Sequence, residues 1–265
     1  MIFRRPAFLV LAVLVFLTAG TAGRAADISE RLQAGTAAAV AEVVDGDTVV
    51  LDDGRQVRLV GLQAPKLPLG RKGFVKWPLA DAAKRALEEL ILGRSVELRY
   101  GGRRTDRYRR ELAHLFRDDG LWVQGDMLRR GMARVYTFPD NRFLAGEMYA
   151  RERAARAEGL GIWADPFYAV RGPDGLGRDI DTFQLVEGRV FDAARVRSRV
   201  YLNYAADWKT DFTVVVSVKD LSLFEEAGLD PLALEGRRIR VRGWVREWNG
   251  PMIDATHPEQ IEVLD

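Results

Sequence analysis

The sequence predicts a mainly β protein with helices, of the α+β class, that folds as two small barrels in succession. Three observations support this prediction: short runs in which apolar and polar residues alternate, turn-forming residues between those runs, and only a few stretches with helical spacing. A chain of 265 residues with 48% hydrophobic and 29% charged side chains is long enough to bury the cores of two such domains.

Residues 1–26 have the layout of a secretory signal peptide. Two arginines precede a nearly continuous apolar run, and small residues follow it up to Ala26. The run is shorter than the ~20 residues of a membrane-spanning helix. We therefore expect cleavage after Ala25 or Ala26, a periplasmic or secreted protein, and no stable membrane insertion afterwards. The intact mass of the exported protein tests this expectation, and a mass that still includes Met1 would indicate an uncleaved anchor.

Residues 27–165 are predicted to form the first domain. The alternation over residues 38–62 indicates a β-meander with a turn at Asp52–Gly54, and residues 95–100 alternate again. Between them, apolar residues at helical spacing follow Pro78 until Gly93, and further helices are predicted at residues 123–130 and 143–157. Short strands with a helix inserted late are typical of a five-stranded OB barrel with helices packed at one end.

The second domain is predicted at residues 183–265. Residues 166–182 are rich in Gly, Pro and Asp without apolar periodicity, which indicates a linker. The following residues are again rich in strands, with one short helix near residues 224–227, so a second small barrel, OB-like, is expected.

The net charge does not by itself indicate a polyanion ligand. The chain carries +2 overall, but residues 1–26 contain three Arg and no acid, which leaves 37 basic against 38 acidic side chains. The basic residues are nevertheless clustered, because residues 94–117 contain eight Arg against three acids. Any nucleic-acid binding must therefore depend on such local clusters.

Four motifs occur in an order and spacing that together are specific. They are VDGDT at residues 44–48, RLVGLQAPK at residues 58–66, RTDRYRR at residues 104–110, and a helix that ends in GLGIW at residues 159–163. Over most of residues 37–165 this pattern resembles the staphylococcal nuclease, or thermonuclease, family.

The resemblance implies roles for the matching positions. Asp47 falls where the family has a calcium ligand, Arg58 where it holds the scissile phosphate, and Arg110 where it stabilises the pentavalent phosphorane. Guanidinium groups suit these roles because they stay charged and bind phosphate oxygens in pairs. The resemblance also places three residues at nucleotide contacts: Arg107 and Tyr108 at a second phosphate, and Tyr136 near the position that stacks on the base.

The sequence departs from the family where its members usually read Asp-Thr-Pro-Glu, because this chain reads Gln63-Ala64-Pro65-Lys66. Gln63 can still offer a neutral oxygen to calcium, so a weakened calcium site remains possible. Lys66 replaces the water-activating glutamate, and an ammonium cannot accept a proton. If Lys66 pointed inward at about 5 Å from a calcium ion, the repulsion would be roughly 6 kcal/mol at an effective dielectric near 20. Alternatively, Lys66 swings out or contacts phosphate in place of the metal.

In the second domain, basic and aromatic residues alternate along one predicted strand. Arg240, Arg242 and Trp244 share a strand face, which could bind the phosphates and a base of a single strand or could simply face solvent.

The motifs leave three functions open. The first is an exported nuclease of altered active site that hydrolyses DNA or RNA, with Arg58, Arg110 and Lys66 as catalytic residues and Asp47 and Gln63 as metal ligands. The second is a catalytically silent nucleic-acid-binding protein of the periplasm. The third is an envelope protein-interaction domain, which would leave the arginine pair unexplained. The expected partner in the first two is nucleic acid, with single strands preferred.

Overall fold

The computed structural model describes residues 28–207 and 210–264. The predicted signal peptide, residues 1–26, therefore lies outside the described residues. Among the described residues, the strands and longer helices of the first half are β1 Gln33–Asp45, β2 Thr48–Leu51, β3 Gln56–Leu59, β4 Leu62–Gln63, α1 Ala80–Ile91, β5 Ser95–Tyr100, β6 Glu111–Arg117, α2 Val123–Arg129, β7 Arg134–Val135 and α3 Ala145–Ala157. The second half contains β8 Phe183–Arg189, β9 Asp192–Val196, β10 Arg199–Asn203, β11 Thr213–Ser217, α4 Leu221–Glu226, β12 Arg238–Glu247, β13 Pro251–Asp254 and β14 Ile261–Val263.

The first five long strands close into a barrel in the order β1-β2-β3-β6-β5, which confirms the five-stranded barrel. The apolar residues of the alternating runs point inward, as at Val57 and Leu59, both of which are fully buried. The helices α1 to α3 extend the same core, because their apolar faces cover the barrel end with residues such as Leu87 and Met127. Burial of these faces is the main driving force for the fold.

The second half repeats the connectivity of the first. In the first barrel the third strand, β3, pairs in parallel with the last strand, β6, and a helix precedes the fourth strand. In the second half β11 pairs in parallel with β13, and α4 lies between β11 and β12. Since β8 pairs with β12 and the adjoining β9 pairs with β10, the seven-stranded sheet curls round its own core, in agreement with an OB-like second domain.

The segment predicted as a linker, residues 166–182, packs against the first domain. It contains two short 3₁₀ turns, at Pro166–Tyr168 and Leu176–Asp179. Tyr168 is buried, and its hydroxyl donates a hydrogen bond of 2.7 Å to the carbonyl of Pro78. The segment also contacts the second half, because the backbone N–H of Arg171 donates to the carbonyl of Leu185 on β8 at 2.8 Å.

A buried ion pair joins the two halves directly. Arg242 on β12 is 1% exposed and donates to both oxygens of Glu152 on α3, at 3.0 Å each, and to the carbonyl of Val135 at 3.1 Å. A carboxylate and a guanidinium are stable without water only when they are paired and hydrogen-bonded in this way.

Within residues 28–207 and 210–264, no helix is both long enough and apolar enough to span a bilayer.

Candidate functional site

The candidate site lies where the turn between β1 and β2 meets the segment after β4. Gly46 makes this approach possible, because a Cβ atom there would lie 2.6 Å from the Cβ of Ala64 and 2.8 Å from that of Ala83. Asp45 fixes the turn by accepting a 3.0 Å hydrogen bond from the backbone N–H of Asp47. The motif VDGDT thus places two carboxylates beside residues 63–66.

Asp47 is completely buried, and several donors bind its carboxylate. The backbone N–H of Ala64 donates to it at 2.8 Å, the Thr48 hydroxyl at 3.3 Å, and Arg58 lies 3.3 Å away. Burial alone would raise its pKa, but the positive charges of Arg58 and Lys66 hold the pKa of Asp47 well below its usual range. Asp47 is therefore an anion whose charge is balanced inside the protein.

The ammonium group of Lys66 points inward. Its Nζ lies 2.8 and 2.6 Å from the two carboxylate oxygens of Asp47 and 3.7 Å from an oxygen of Asp45. Burial raises the pKa of Asp45, and the negative charge of Asp47 raises it further. The lysine, which is 20% exposed, thus supplies a positive charge where two acidic side chains converge.

The donor set does not fit a calcium ion while Lys66 holds this position. Calcium binds six to eight oxygen ligands, and the ammonium already contacts both oxygens of Asp47. The second predicted metal ligand, Gln63, is also engaged, because its side-chain oxygen accepts hydrogen bonds of 3.0 and 2.8 Å from Arg134. Among the described residues, no group of three or more His, Asp or Glu side chains is arranged to hold a metal ion.

Arg58 is folded against the backbone. Its guanidinium donates to the carbonyl oxygens of Leu59 and Leu62, at 2.6 Å each, and to that of Asp47 at 3.3 Å. Its side chain is 13% exposed. In this conformation Arg58 holds together the strand end, the turn after β3 and the acidic turn, and most of its N–H donors are already bonded.

Arg110 immediately precedes β6, the strand that pairs with β3, and is more accessible than Arg58. The parallel pairing of β3 with β6 sets Arg58 beside Leu112, two residues after Arg110. Arg110 forms an ion pair with Asp106 at 2.7 Å, and its side chain is 27% exposed. Burial would raise the pKa of Asp106, but the hydrogen bonds from Arg110 lower it, so the pair stays charged.

The predicted nucleotide-contact residues Arg107 and Tyr108 lie in the same loop. Tyr108 is 64% exposed, and its hydroxyl accepts a hydrogen bond of 2.7 Å from Arg107. The guanidiniums of Arg107 and Arg110 lie 4.8 and 5.5 Å from the centre of its ring. Asp106 shapes the loop, since its carboxylate accepts from the backbone N–H groups of Tyr108 and Arg110 at 2.8 and 3.0 Å.

Tyr136 lies at the boundary between the two halves. It follows β7, whose Val135 pairs with Leu62, so it is close to the backbone that binds Arg58. Its ring packs edge-on against Phe183 of the second half at 4.9 Å, and its hydroxyl accepts a 3.1 Å hydrogen bond from the indole of Trp244. The predicted base-stacking residue is therefore in contact with the second domain.

The prediction of an open basic face on β12 is wrong at Arg242, because that side chain is buried against α3 as described above. Arg240 is 13% exposed and forms ion pairs with Glu187 and Glu262. Trp244 is 40% exposed and remains accessible. The predicted strand is present, but at Arg242 its polar face meets the first domain instead of solvent.

The sequence does not single out Arg134, although this residue binds the side chain of Gln63 at the site. It is 3% exposed, bonded to Gln63, and its guanidinium lies 4.5 Å from the ring centre of Phe183 and 5.7 Å from that of Trp77. Burial lowers the pKa of Arg134 to about 10. An arginine at the end of an apolar segment gives no sequence signal that distinguishes it from a surface residue.

This closed barrel, with a basic and acidic cluster at the turn after its first strand, defines the chain as a nuclease-like OB-fold protein. The family described as staphylococcal nuclease homologue matches residues 56–165. An uncharacterized endonuclease of Escherichia coli O157:H7 is 32% identical over 133 residues, which cover 48% of this chain and 76% of the relative. A thermonuclease of Staphylococcus intermedius is 28% identical over 127 residues, 47% of this chain and 74% of the relative. The chain belongs to the staphylococcal nuclease family, and the family match ends before β8.

Proposed function

We propose that the protein binds a nucleic-acid phosphodiester at the site formed by Lys66, Arg110 and Arg58, and that calcium takes no part in this. The contact of the Lys66 ammonium with both oxygens of Asp47 carries the proposal. An ammonium has three N–H donors, so one remains for a phosphate oxygen after two are bonded to the carboxylate. The family membership supports nucleic acid as the ligand, and export to the periplasm, expected from residues 1–26, belongs to the same proposal.

Each cation has a distinct part in holding the phosphate. Arg110 is fixed by Asp106 and is partly exposed, so it can bind phosphate oxygens through its accessible edge. Arg58, which lies on β3, adds positive charge, and its 3.3 Å contacts with Asp47 can be replaced by contacts with a phosphate oxygen. The exposed Arg107 and Tyr108 extend this surface along the strand of nucleic acid.

The observed geometry does not favour calcium-dependent hydrolysis. The position of the water-activating carboxylate is held by Lys66, which donates protons and does not accept them at neutral pH. Hydrolysis without metal is the second candidate, because relatives of this chain are named endonuclease and thermonuclease and because Lys66 supplies a cation next to Arg58. In that case the ammonium stabilises the negative charge of the transition state.

The test is binding and cleavage of a labelled single-stranded oligonucleotide by the full chain, in chelator and in calcium. We expect binding in chelator that weakens steeply as salt rises, since phosphate contacts release counterions. Calcium should leave both the affinity and the cleavage rate unchanged. Arg110→Ala should weaken binding about tenfold or more, because a charged hydrogen bond is lost.

Arg129→Ala is the matched control, because Arg129, at the end of α2, forms a similar ion pair with Glu158. The Arg129→Ala variant should bind the oligonucleotide as tightly as the wild type. Binding that requires calcium, or cleavage that calcium stimulates, would refute the proposal. Cleavage in chelator that disappears in Lys66→Ala would establish the metal-independent nuclease instead.

A further inference from the structure

The second half of the chain carries an open groove that is separate from the first barrel. Side chains of β9, β10, β11 and β13 and of the turn after β12 enclose about 440 Å³. The residues that line this outer groove are Asp192, Ala194, Val196, Tyr201, Asn203, Thr213, Val215, Trp248, Asn249 and Met252. They belong to the outer side of the curled sheet, since the residues that alternate with them, such as Val214 and Leu202, form its core.

Large apolar surfaces are exposed in the outer groove. Trp248 is 61% exposed and Val196 is 53% exposed, and Tyr201 on β10 lines the same groove. Exposed aromatic rings on a sheet face are suited to stack on nucleobases, because every base has a flat π surface. In OB barrels this face, bordered by the loop after the first strand and the loop between the last two, is where oligonucleotides bind.

A basic hairpin borders one end of the outer groove. Arg195, Arg197 and Arg199 are all exposed on or next to the turn that joins β9 to β10. Within the described part of the chain their side chains form no ion pair with an acid, unlike Arg240 and Arg242. Arg199 lies on the same strand face as Tyr201, opposite Ser217. Arg199 is therefore available on the groove face for the phosphates of a ligand, and Arg197 follows in the turn. Arg195 pairs with the buried Val200 and so lies on the other face of the sheet.

The groove continues towards the site of the first domain. Met252, which lines it, pairs across the sheet with Arg246, and Trp244 lies two residues before Arg246 on the same strand face. The indole of Trp244 is bonded to Tyr136, and Tyr136 follows the strand that pairs with Leu62 at the Arg58 site. Trp244 and Tyr136 thus connect the sheet that carries the groove with the strand that pairs with Leu62, whose carbonyl binds Arg58.

We propose that the outer groove binds single-stranded nucleic acid that extends from the site of the first domain. The inference depends on the function proposed above, because it assigns the same strand to both sites. Bases stack on Trp248 and Tyr201, and the phosphates lie against Arg199 and its neighbours. Duplex DNA fits less well, because its bases are already stacked on one another and cannot reach the rings.

Oligonucleotides of two lengths test the inference with the full chain. A strand of about 4 nucleotides can occupy the first site alone, whereas one of about 16 nucleotides also reaches the groove. We expect Trp248→Ala and Arg199→Glu each to weaken binding of the longer strand by about tenfold, measured by fluorescence anisotropy. Both variants should bind the shorter strand like the wild type.

Matched controls come from the same half of the chain. Phe191→Ala removes an aromatic ring that is 59% exposed but does not line the groove, and Arg178→Glu reverses an exposed charge outside it. Both should leave the binding of either strand unchanged, and thermal melting confirms that all four variants fold.

If the groove variants bind the longer strand as tightly as the wild type, the inference is refuted while the first site stands. If the wild type binds neither strand, the proposed function itself fails. If those variants instead weaken binding of an acidic peptide and leave nucleic acid unaffected, the groove is a protein-binding site and the inference is also refuted.

Discussion

Calcium-stimulated cleavage of DNA is expected to rise at least ~100-fold when Lys66→Glu is combined with Gln63→Asp. A rate increase of this size is the usual contribution of a positioned general base. The first change removes the ammonium that lies 2.6 Å from Asp47 and adds a carboxylate that can orient water. The second adds an anionic oxygen donor beside the same turn. Together with Asp45 and Asp47, the variant has four carboxylates for one calcium ion, which is the type of ligand set that this hard cation prefers.

Single variants and a stability measurement separate the causes. Lys66→Ala removes the ammonium without adding a base, so it should gain calcium binding but little cleavage. The double variant should melt at a higher temperature in calcium than in chelator, because a ligand that binds only the folded state stabilises it. If calcium changes neither the melting temperature nor the cleavage rate of the double variant, Lys66 is not what prevents metal binding in this barrel.

The largest loss of stability is expected from Glu152→Ala, at about 3–5 kcal/mol of unfolding free energy. Glu152 is fully buried, and its carboxylate accepts hydrogen bonds from Arg242 and from the backbone N–H of Val135. Burial alone would lower the pKa of Arg242, but the negative charge of Glu152 raises it. Because a guanidinium keeps its proton in proteins, removal of Glu152 leaves a buried positive charge with one fewer carboxylate partner. Denaturant titration of the full chain measures the loss.

Two further variants show whether the loss comes from the unpaired charge. Glu152→Leu combined with Arg242→Met replaces the pair by apolar side chains and should recover most of the stability, because buried pairs contribute little beyond their own desolvation. Arg153→Ala removes the neighbouring, 53% exposed arginine of α3 and should cost less than ~1 kcal/mol. A Glu152→Ala protein as stable as the wild type would mean that the contact between the halves does not stabilise either of them.

The sequence predicted the elements well where one local pattern determined them. The alternation over residues 95–100 became β5 with the same bounds, and the helical spacing before Gly93 became α1. In both cases the period of apolar residues alone decides which face meets the core. The predicted site motifs also converge, because Gly46 allows the acidic turn to contact the segment that ends in Lys66.

What could not be predicted depends on residues far apart in the chain. The partner of Gln63 is Arg134, 71 positions later, and the partner of Arg242 is Glu152, 90 positions earlier. A strand that alternates arginine with apolar residues has the same pattern whether its polar face meets solvent or another domain. The sequence does not determine the direction of Lys66 for a similar reason, since a flexible side chain takes its position from the charges around it.

The ammonium beside Asp47 differs from a bound metal ion in one respect that follows from its covalent attachment. A metal ion exchanges with the surroundings, so the charge of a metal site follows the calcium supply of the compartment. Lys66 is linked to Asp47 through the 18 intervening residues of its own chain and cannot be diluted or chelated. The charge at this turn therefore stays the same in calcium-rich and calcium-poor surroundings. The affinity for a phosphodiester would respond to salt but not to calcium.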